Sequence, residues 1–309
     1  MVKVDLSIVI LNYNSEDFLV GCIQSIREAD MKGIVYEIIV VDNASTDGSL
    51  EEIRSTKFEI RNKFKIQIIQ NEENLGFAKG NNVGVNKASG RYVLFLNPDT
   101  VVSKDAIKTV FKFMEDNSDV GVATARLELA DGKLDESSHR GFPTPWNAFS
   151  YFSGLEHLFP RNKLFAGYTQ GWLIGKKAPH EVDSIGGAFF FVRRKAAEEV
   201  GWWDEDYLWY GEDIDFSYKL KKMGWKVVFI PQVKVLHYRG VSSGIKKHSR
   251  GISTASKETK ILAARASTQA MRIFYNKHYV GAYPRPLTWF VLQGIRILEQ
   301  VRLVKVKFF

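Results

Sequence analysis

Cysteine is all but missing: Cys22 stands alone in 309 residues, so no internal disulfide can form and the fold must rest on its apolar core. The opening Met1-Val2-Lys3-Val4-Asp5 is polar and has no charged leader followed by a long apolar segment, so a cytosolic protein is expected. No internal repeat and no low-complexity tract interrupts the chain, which argues against a solenoid or a disordered protein. Phosphate-loop signatures are missing too. The stretch "NLGFAKGNNVG" at 74–84 has no Gly-Lys-Ser/Thr ending and no G-x-G-x-x-G spacing, so both familiar phosphate loops fail. Acids are scarce at one end only. After Gly240, 13 Lys and Arg face two acids, Glu258 and Glu299, whereas the residues before it are net negative within a chain of net charge +8. A basic tail on a mildly acidic body suits an anionic partner such as lipid headgroups or phosphates.

Apolar residues make up 45% of the chain, enough for one large core or two modest ones. In the first hundred residues they alternate between two periods. Leu6–Leu11, Glu37–Val41, Lys65–Ile69 and Tyr92–Leu96 are short β-branched runs of the kind that fills a sheet buried on both faces. Between them, Phe18, Leu19, Cys22, Ile23 and Ile26 recur at helical spacing, and Ser45-Thr46-Asp47 precedes another helical segment as caps would. Strand, helix, strand, repeated, predicts a parallel α/β sheet, whose ligands bind outside the carboxyl ends of the strands. Asn12-Tyr13-Asn14, Asp42-Asn43 and Asn97-Pro98-Asp99 all fall at such ends. Further on, 139–180 has little periodicity and reads as loops, Val227–Ile230 and Val233–His237 read as a strand pair, and the basic, Ser-rich 242–260 reads as mobile.

Each polar cluster has a plain reading beside a chemical one. Asp99 or Ser103 can cap a helix over Lys104–Met114, or Asp99 can ligate a divalent cation against a substrate diphosphate. Ser45 and Asp47 are better placed than Asp42 to cap, which leaves the Asp42 carboxylate to accept the imide N–H of uracil or thymine. Gly76 and its neighbours allow close approach of backbone to a ligand. In "GEDIDF", Glu212, Asp213 and Asp215 form the acidic first turn of a helix; with Trp202, Trp203, Trp209 and Tyr210 just before them, they also read as a catalytic base beside a sugar-stacking platform. His237 ends a strand and reads as a structural histidine when taken alone. Gly240-Val241-Ser242-Ser243-Gly244 matches G-x-S-x-G, but a basic loop follows where a nucleophile elbow needs a helix.

Taken in order, "VVDNASTDGS", "NLGFAKGNNVG", "FLNPDT", "DSIGGAFFFVRR", "WYGEDIDFSYKLKKMGWKVVFIPQVKVLHYRG" and "RIFYNKHY" resemble the inverting family 2 glycosyltransferases over about residues 5–280, in particular the rhamnosyltransferase-like subgroup of bacterial surface polysaccharide synthesis. The resemblance implies the GT-A fold, a UDP- or dTDP-sugar donor and a divalent metal, Mg²⁺ or Mn²⁺. It assigns Asp213 as base, Asp99 and His237 as metal contacts, and Asn97 as a neutral partner near the ribose where most of the family carries a first carboxylate. Asn12, Tyr13, Asp42, Asn74, Gly76 and Asn81 then face the nucleotide-sugar, and Trp203, Trp209, Tyr210 and Glu212 the acceptor. A catalytic domain over 1–240, with a nucleotide-binding half to residue 100, and a basic helical extension over 241–309 are expected. Two rival readings fit the sequence less well. A sugar-nucleotide nucleotidyltransferase wants a Gly-rich loop after the first strand, where Asn12-Tyr13-Asn14-Ser15 stands, and a non-catalytic carbohydrate-binding protein has no need of both Asp99 and Asp213.

The tail completes the reading. From Leu287 on, Phe290, Ile297, Val301, Val304 and Phe308 fall along one helical stripe, and five charges between 296 and 307 make insertion across a bilayer costly. The expected partner is an anionic membrane surface, with the protein peripheral on its cytoplasmic side and the acceptor a glycan or lipid-diphosphate-linked glycan; nucleic acid is not expected. The alternative is a helix packed on the catalytic domain.

Overall fold

The computed structural model describes residues 3–55, 66–238 and 256–308. Four parallel strands, β1 (Leu6–Asn12), β2 (Tyr36–Asp42), β3 (Ile66–Gln70) and β4 (Tyr92–Leu96), lie side by side in the order β3-β2-β1-β4. The helices α1 (Glu16–Glu28), α2 (Ser49–Ser55) and α3 (Gly76–Val85) connect them. The period-two pattern explains why the runs are apolar throughout. Leu6, Ile8 and Ile10 point into one core with Leu19, Cys22, Ile23 and Ile26 of α1, while Val9, Ile39 and Val41 point into the other with Ala78 and Val85 of α3. The register sets Asn12 opposite Asp42 at the carboxyl end.

The second half completes a nine-stranded mixed sheet. Its strands are β5 (Thr100–Val102), β6 (Val120–Glu128), β7 (His180–Glu181), β8 (Phe189–Arg193) and β9 (Lys226–His237), with α4 (Ala106–Asp116), α5 (Pro145–Ser153), α6 (Leu155–Leu158), α7 (Arg194–Val200) and α8 (Glu212–Lys222) between them. β8 runs antiparallel between β4 and β6, and β9 pairs parallel with β6 and antiparallel with β5. Two expectations are corrected here. The strand pair around Val227 and Val233 is one strand with a register shift after Ile230, because Pro231 removes a ladder donor and bulges the chain without reversing it. The segment 139–180 is not all loop: Thr144 caps α5 through Asn147 N (3.2 Å), with Pro145 in its first turn.

Two helices follow, α9 (Lys257–His278) and α10 (Arg285–Phe308), packed against each other. α9 buries Ala270, Phe274 and Tyr275 in one cluster with Tyr207, so it shares a core with the loop before α8. The boundary expected at 240, the Gly240–Gly244 pattern and most of the basic stretch lie outside the described residues. Among the described residues, no helix is long and apolar enough to cross a membrane.

Candidate active site

At the ends of β1 and β2 the polar side chains satisfy one another. Asn12 Nδ2 donates to Asp42 Oδ1 (2.7 Å) and to the Ser45 and Ser49 hydroxyls, and Ser15 Oγ donates to Asn12 Oδ1. Asp42 also accepts from Ser45 N (3.0 Å) and Ser45 Oγ (2.6 Å), and is 1% exposed. The carboxylate expected to be free of capping is therefore engaged by Ser45. Asn12 and Asp42 sit behind the crevice wall and brace it. Asn81 is buried as well, its amide turned back onto Phe77 O (3.0 Å) within α3. The wall itself carries Tyr13, Asn43, Asn74 and Gly76. Asn43 Nδ2 donates to Gly76 O (3.0 Å) and Asn74 Oδ1 (3.2 Å), and Asn71 donates to Asn43 Oδ1 (2.8 Å). Gly76 is required where it stands: its φ is +79°, and a Cβ would lie 2.5 Å from Leu208 O across the crevice.

β4 ends in Asn97, Pro98 and Asp99, and all three line the same groove. Asp99 is nearly buried, with Oδ1 3.4 Å from His237 Nε2, and the β5–β9 ladder sets this distance by pairing Thr100 with His237. The other ring nitrogen, Nδ1, lies 2.8 Å from Oδ2 of the fully buried Asp135. Burial works against a charged His237 ring, but Asp99 and Asp135 on either side outweigh it and raise its pKa to about 9. Asp135 carried no signal in the sequence, where it sits in an ordinary-looking turn. Its contact fixes which nitrogen faces Asp99, as outer carboxylates do for metal-bound histidines. A cation at this point would displace the Nε2 proton that Asp99 now favours, and Asp99 and His237 then fit it as two of several ligands. Among the described residues no group of three or more His, Cys, Asp or Glu could hold an ion unaided, so phosphate oxygens and water would complete the shell.

Opposite stands the first turn of α8. Gly211, at φ +87°, opens it; a Cβ there would meet the Ala270 methyl of α9 at 3.0 Å. Asp213 Oδ2 accepts from Arg140 Nη2 at 2.7 Å in a nearly buried ion pair, while Oδ1 accepts from Ile214 N at 2.7 Å. Burial, then the neighbouring Asp213 charge, pushes the Glu212 carboxyl up to about 8. Glu212 therefore stays protonated near neutrality beside the Asp213–Arg140 pair. Asp215 turns away from the groove, accepting from His278 Nε2 (2.6 Å) of α9 and pairing with Lys219 (3.0 Å). Sequence reasoning missed Arg140, which lies 73 positions from its partner.

The aromatic platform divides. Trp203 is corrected to a core residue: it is 1% exposed, with its ring 4.8–5.3 Å from those of Phe77, Phe95, Phe190 and Phe216. Trp209 and Tyr210 remain on the groove wall, stacked at 11° with centroids 6.1 Å apart. Tyr210 adopts φ +73°, a conformation unusual for a bulky side chain and a mark of a constrained site. Asn97, Asp99, His237, Asp213, Trp209 and Tyr210 open into one groove of about 2020 Å³ that runs from Tyr13 to the faces of α5 and α10.

A crevice at the carboxyl ends of a mostly parallel sheet, closed by antiparallel β8 and flanked by carboxylates on both sides, defines the GT-A fold of glycosyltransferases. GalNAc-T7, solved with UDP, GalNAc and Mn²⁺, superposes with a TM-score of 0.58 at 18% identity, over 85% of this chain and 50% of its own. The Pyrobaculum calidifontis mannosyltransferase PcManGT, solved with GDP-Man and Mn²⁺, gives 0.55 at 17% identity over 97% of this chain and 86% of its own. The model of Glycosyl transferase family 2 matches residues 7–201, and the chain belongs to that family. Among relatives, the N-acetylglucosaminyl-diphospho-decaprenol L-rhamnosyltransferase of Mycobacterium tuberculosis is 26% identical over 284 residues, covering 87% of this chain and 83% of that protein. The poly(ribitol-phosphate) beta-N-acetylglucosaminyltransferase TarS of Staphylococcus aureus is 32% identical over 116 residues, 37% of this chain and 20% of its own length.

Proposed function

We propose that this glycosyltransferase is metal-dependent and inverting, and moves a sugar, L-rhamnose in the first instance, from a dTDP- or UDP-sugar to a hydroxyl of a glycan carried on a lipid diphosphate. One observation carries the reading: Asp213, held by Arg140, and the Asp99–His237 pair open into a single groove. The donor's nucleotide lies against Tyr13, Asn43, Asn74 and Asn97, on the wall that Asn12 and Asp42 brace. Asp99 and His237 would hold a divalent cation, which when bound would supply positive charge against the departing diphosphate. Asp213 takes the proton of the acceptor hydroxyl as that oxygen attacks the anomeric carbon from the face opposite the diphosphate. Arg140 keeps the carboxylate aimed. Protonated Glu212 spares it a second negative neighbour. A single displacement inverts the anomer, so no carboxylate nucleophile is needed. Trp209 and Tyr210 offer the acceptor sugar a flat apolar face.

The sugar and the lipid-diphosphate acceptor are carried over from the mycobacterial relative's name. A membrane location is supported by exposed apolar side chains on both rims of the groove's outer end, Trp146, Phe149 and Phe152 on α5 and Phe290, Ile297 and Val304 on α10, together with the basic character of the tail. The deciding measurement is nucleotide diphosphate release from a panel of dTDP- and UDP-sugars with Mn²⁺, Mg²⁺ or EDTA, with the product anomer read by NMR. Metal-dependent release from dTDP-rhamnose with an inverted product is expected; full activity in EDTA overturns the metal assignment, and a retained anomer overturns the mechanism. Loss of binding to anionic vesicles on truncation near Tyr283, reduced in the intact protein by high salt, is expected for the tail.

A further inference from the structure

The outer half of the groove is lined mostly by apolar side chains of α5 and α10, with Arg302 among them. Arg302 projects from α10 into this wall, half-buried, and its guanidinium donates to Ser267 Oγ of α9 at 2.5 Å. Burial holds the guanidinium below its usual range, with the phenols of Tyr151, Tyr168 and Tyr210 as the surrounding polar groups. No carboxylate among the described residues pairs with it. The two acids of the tail are placed elsewhere: Glu299 pairs with Arg272 at 2.7 Å, and Glu258 lies beside Ser256 in the first turn of α9. A cation drawn out of water without a counterion costs free energy that an anionic ligand would offset. Lys305, also on the groove wall, adds a second positive charge one turn on. Tyr168 lies near both Arg302 and Arg140, so this cationic point and the Asp213 ion pair share one stretch of wall.

We propose that Arg302, assisted by Lys305, is the binding site for the diphosphate of a lipid-linked acceptor, whose hydrocarbon chain leaves along the apolar faces of α5 and α10. The inference rests on the acceptor class proposed above and names the residues that would recognise it. A guanidinium suits this ligand because its planar donors match two phosphate oxygens at once. The donor's own diphosphate is assigned to the opposite end of the groove, at Asp99. That division gives the enzyme two diphosphate sites, and only the outer one adjoins an apolar channel.

The test is isothermal titration of the full-length protein, without donor and in EDTA, with farnesyl diphosphate, farnesol and inorganic pyrophosphate. Farnesyl diphosphate should bind at least about tenfold more tightly than either fragment, and Arg302→Met should weaken it by about 10- to 100-fold, the worth of a charge-assisted contact. Arg302→Lys should retain an intermediate affinity. Equal losses in the Met and Lys variants would show a packing effect and overturn the proposal, as would undiminished binding by Arg302→Met. Pyrophosphate binding as tightly as farnesyl diphosphate would make this a site for free anions and remove the lipid from it. A parallel titration with phosphatidylglycerol vesicles separates acceptor from headgroup: unchanged vesicle binding by Arg302→Met is expected, and a matching loss would reassign Arg302 to the membrane surface. Because no donor is present, a failure here leaves sugar transfer standing, and a failure to find transfer leaves this result standing.

Discussion

The two ends of the groove are built in opposite ways. At the end proposed for the donor, polar side chains are buried and spend their hydrogen bonds on their neighbours, as Asn12 does on Asp42 and Asn43 on Gly76 O and Asn74. At the end proposed for the acceptor, apolar side chains stand in the open, with Phe149 56%, Phe290 65% and Ile297 66% exposed. Arg140 pairs there with Asp213 across 73 positions of chain, while Arg302 has no carboxylate partner among the described residues. The first arrangement is preorganised, with little left to move when a ligand arrives. The second leaves apolar surface that a partner would cover. The proposed transfer from a nucleotide-sugar to a lipid-linked acceptor would make use of this asymmetry.

The comparison can be broken at Asp213. Asp213→Asn keeps shape but cannot take a proton, so kcat should fall about 10²-fold or more while nucleotide-sugar affinity stays nearly unchanged. Calorimetry beside a turnover assay separates the two; a parallel loss of donor affinity would show that the ends are not independent. The aromatic pair sharpens it next. Trp203→Ala should destabilise the fold by about 3–5 kcal/mol, read in urea, because it empties a core site. Trp209→Ala should change stability by less than about 0.5 kcal/mol and instead raise the acceptor KM. At the hinge between the ends, Asp135→Asn should weaken Mn²⁺ binding in the presence of nucleotide diphosphate by about 10- to 100-fold, since the His237 ring loses the carboxylate that aims it. An unchanged Mn²⁺ affinity would return His237 to a structural role.

Glu212 gives a pH slope. An acid raised from 4.5 to about 8 gives the folded state a proton the unfolded chain has lost. Its stability contribution is therefore full below 4.5 and fades as pH climbs to about 8. Glu212→Gln removes that slope, so the variant's melting temperature relative to wild type should climb across this window. A difference that does not vary with pH would mean that Glu212 is ionised in the fold.

What the sequence determined by itself was the alternation of β1 to β4 with their helices, and with it the crevice into which Asn97, Asp99, Asp213 and His237 all open. Such information is local: a β-branched run between helix-spaced residues reports burial on two faces, and the polar residue that ends the run reports where the strand meets solvent. The tertiary structure alone decided between neighbours of like chemistry. Trp203 and Trp209 are both large and apolar, and their order along the chain does not say which faces Phe190 and which the groove. Asp42 was legible as a carboxylate at a strand end, but its engagement by Asn12 depends on the β1–β2 register, 30 positions apart. The roles of Arg140, Asp135 and Arg302 left no pattern at all, because an ion pair, an aimed histidine or an unmatched half-buried cation exists only once distant segments have been brought within about 3 Å of each other.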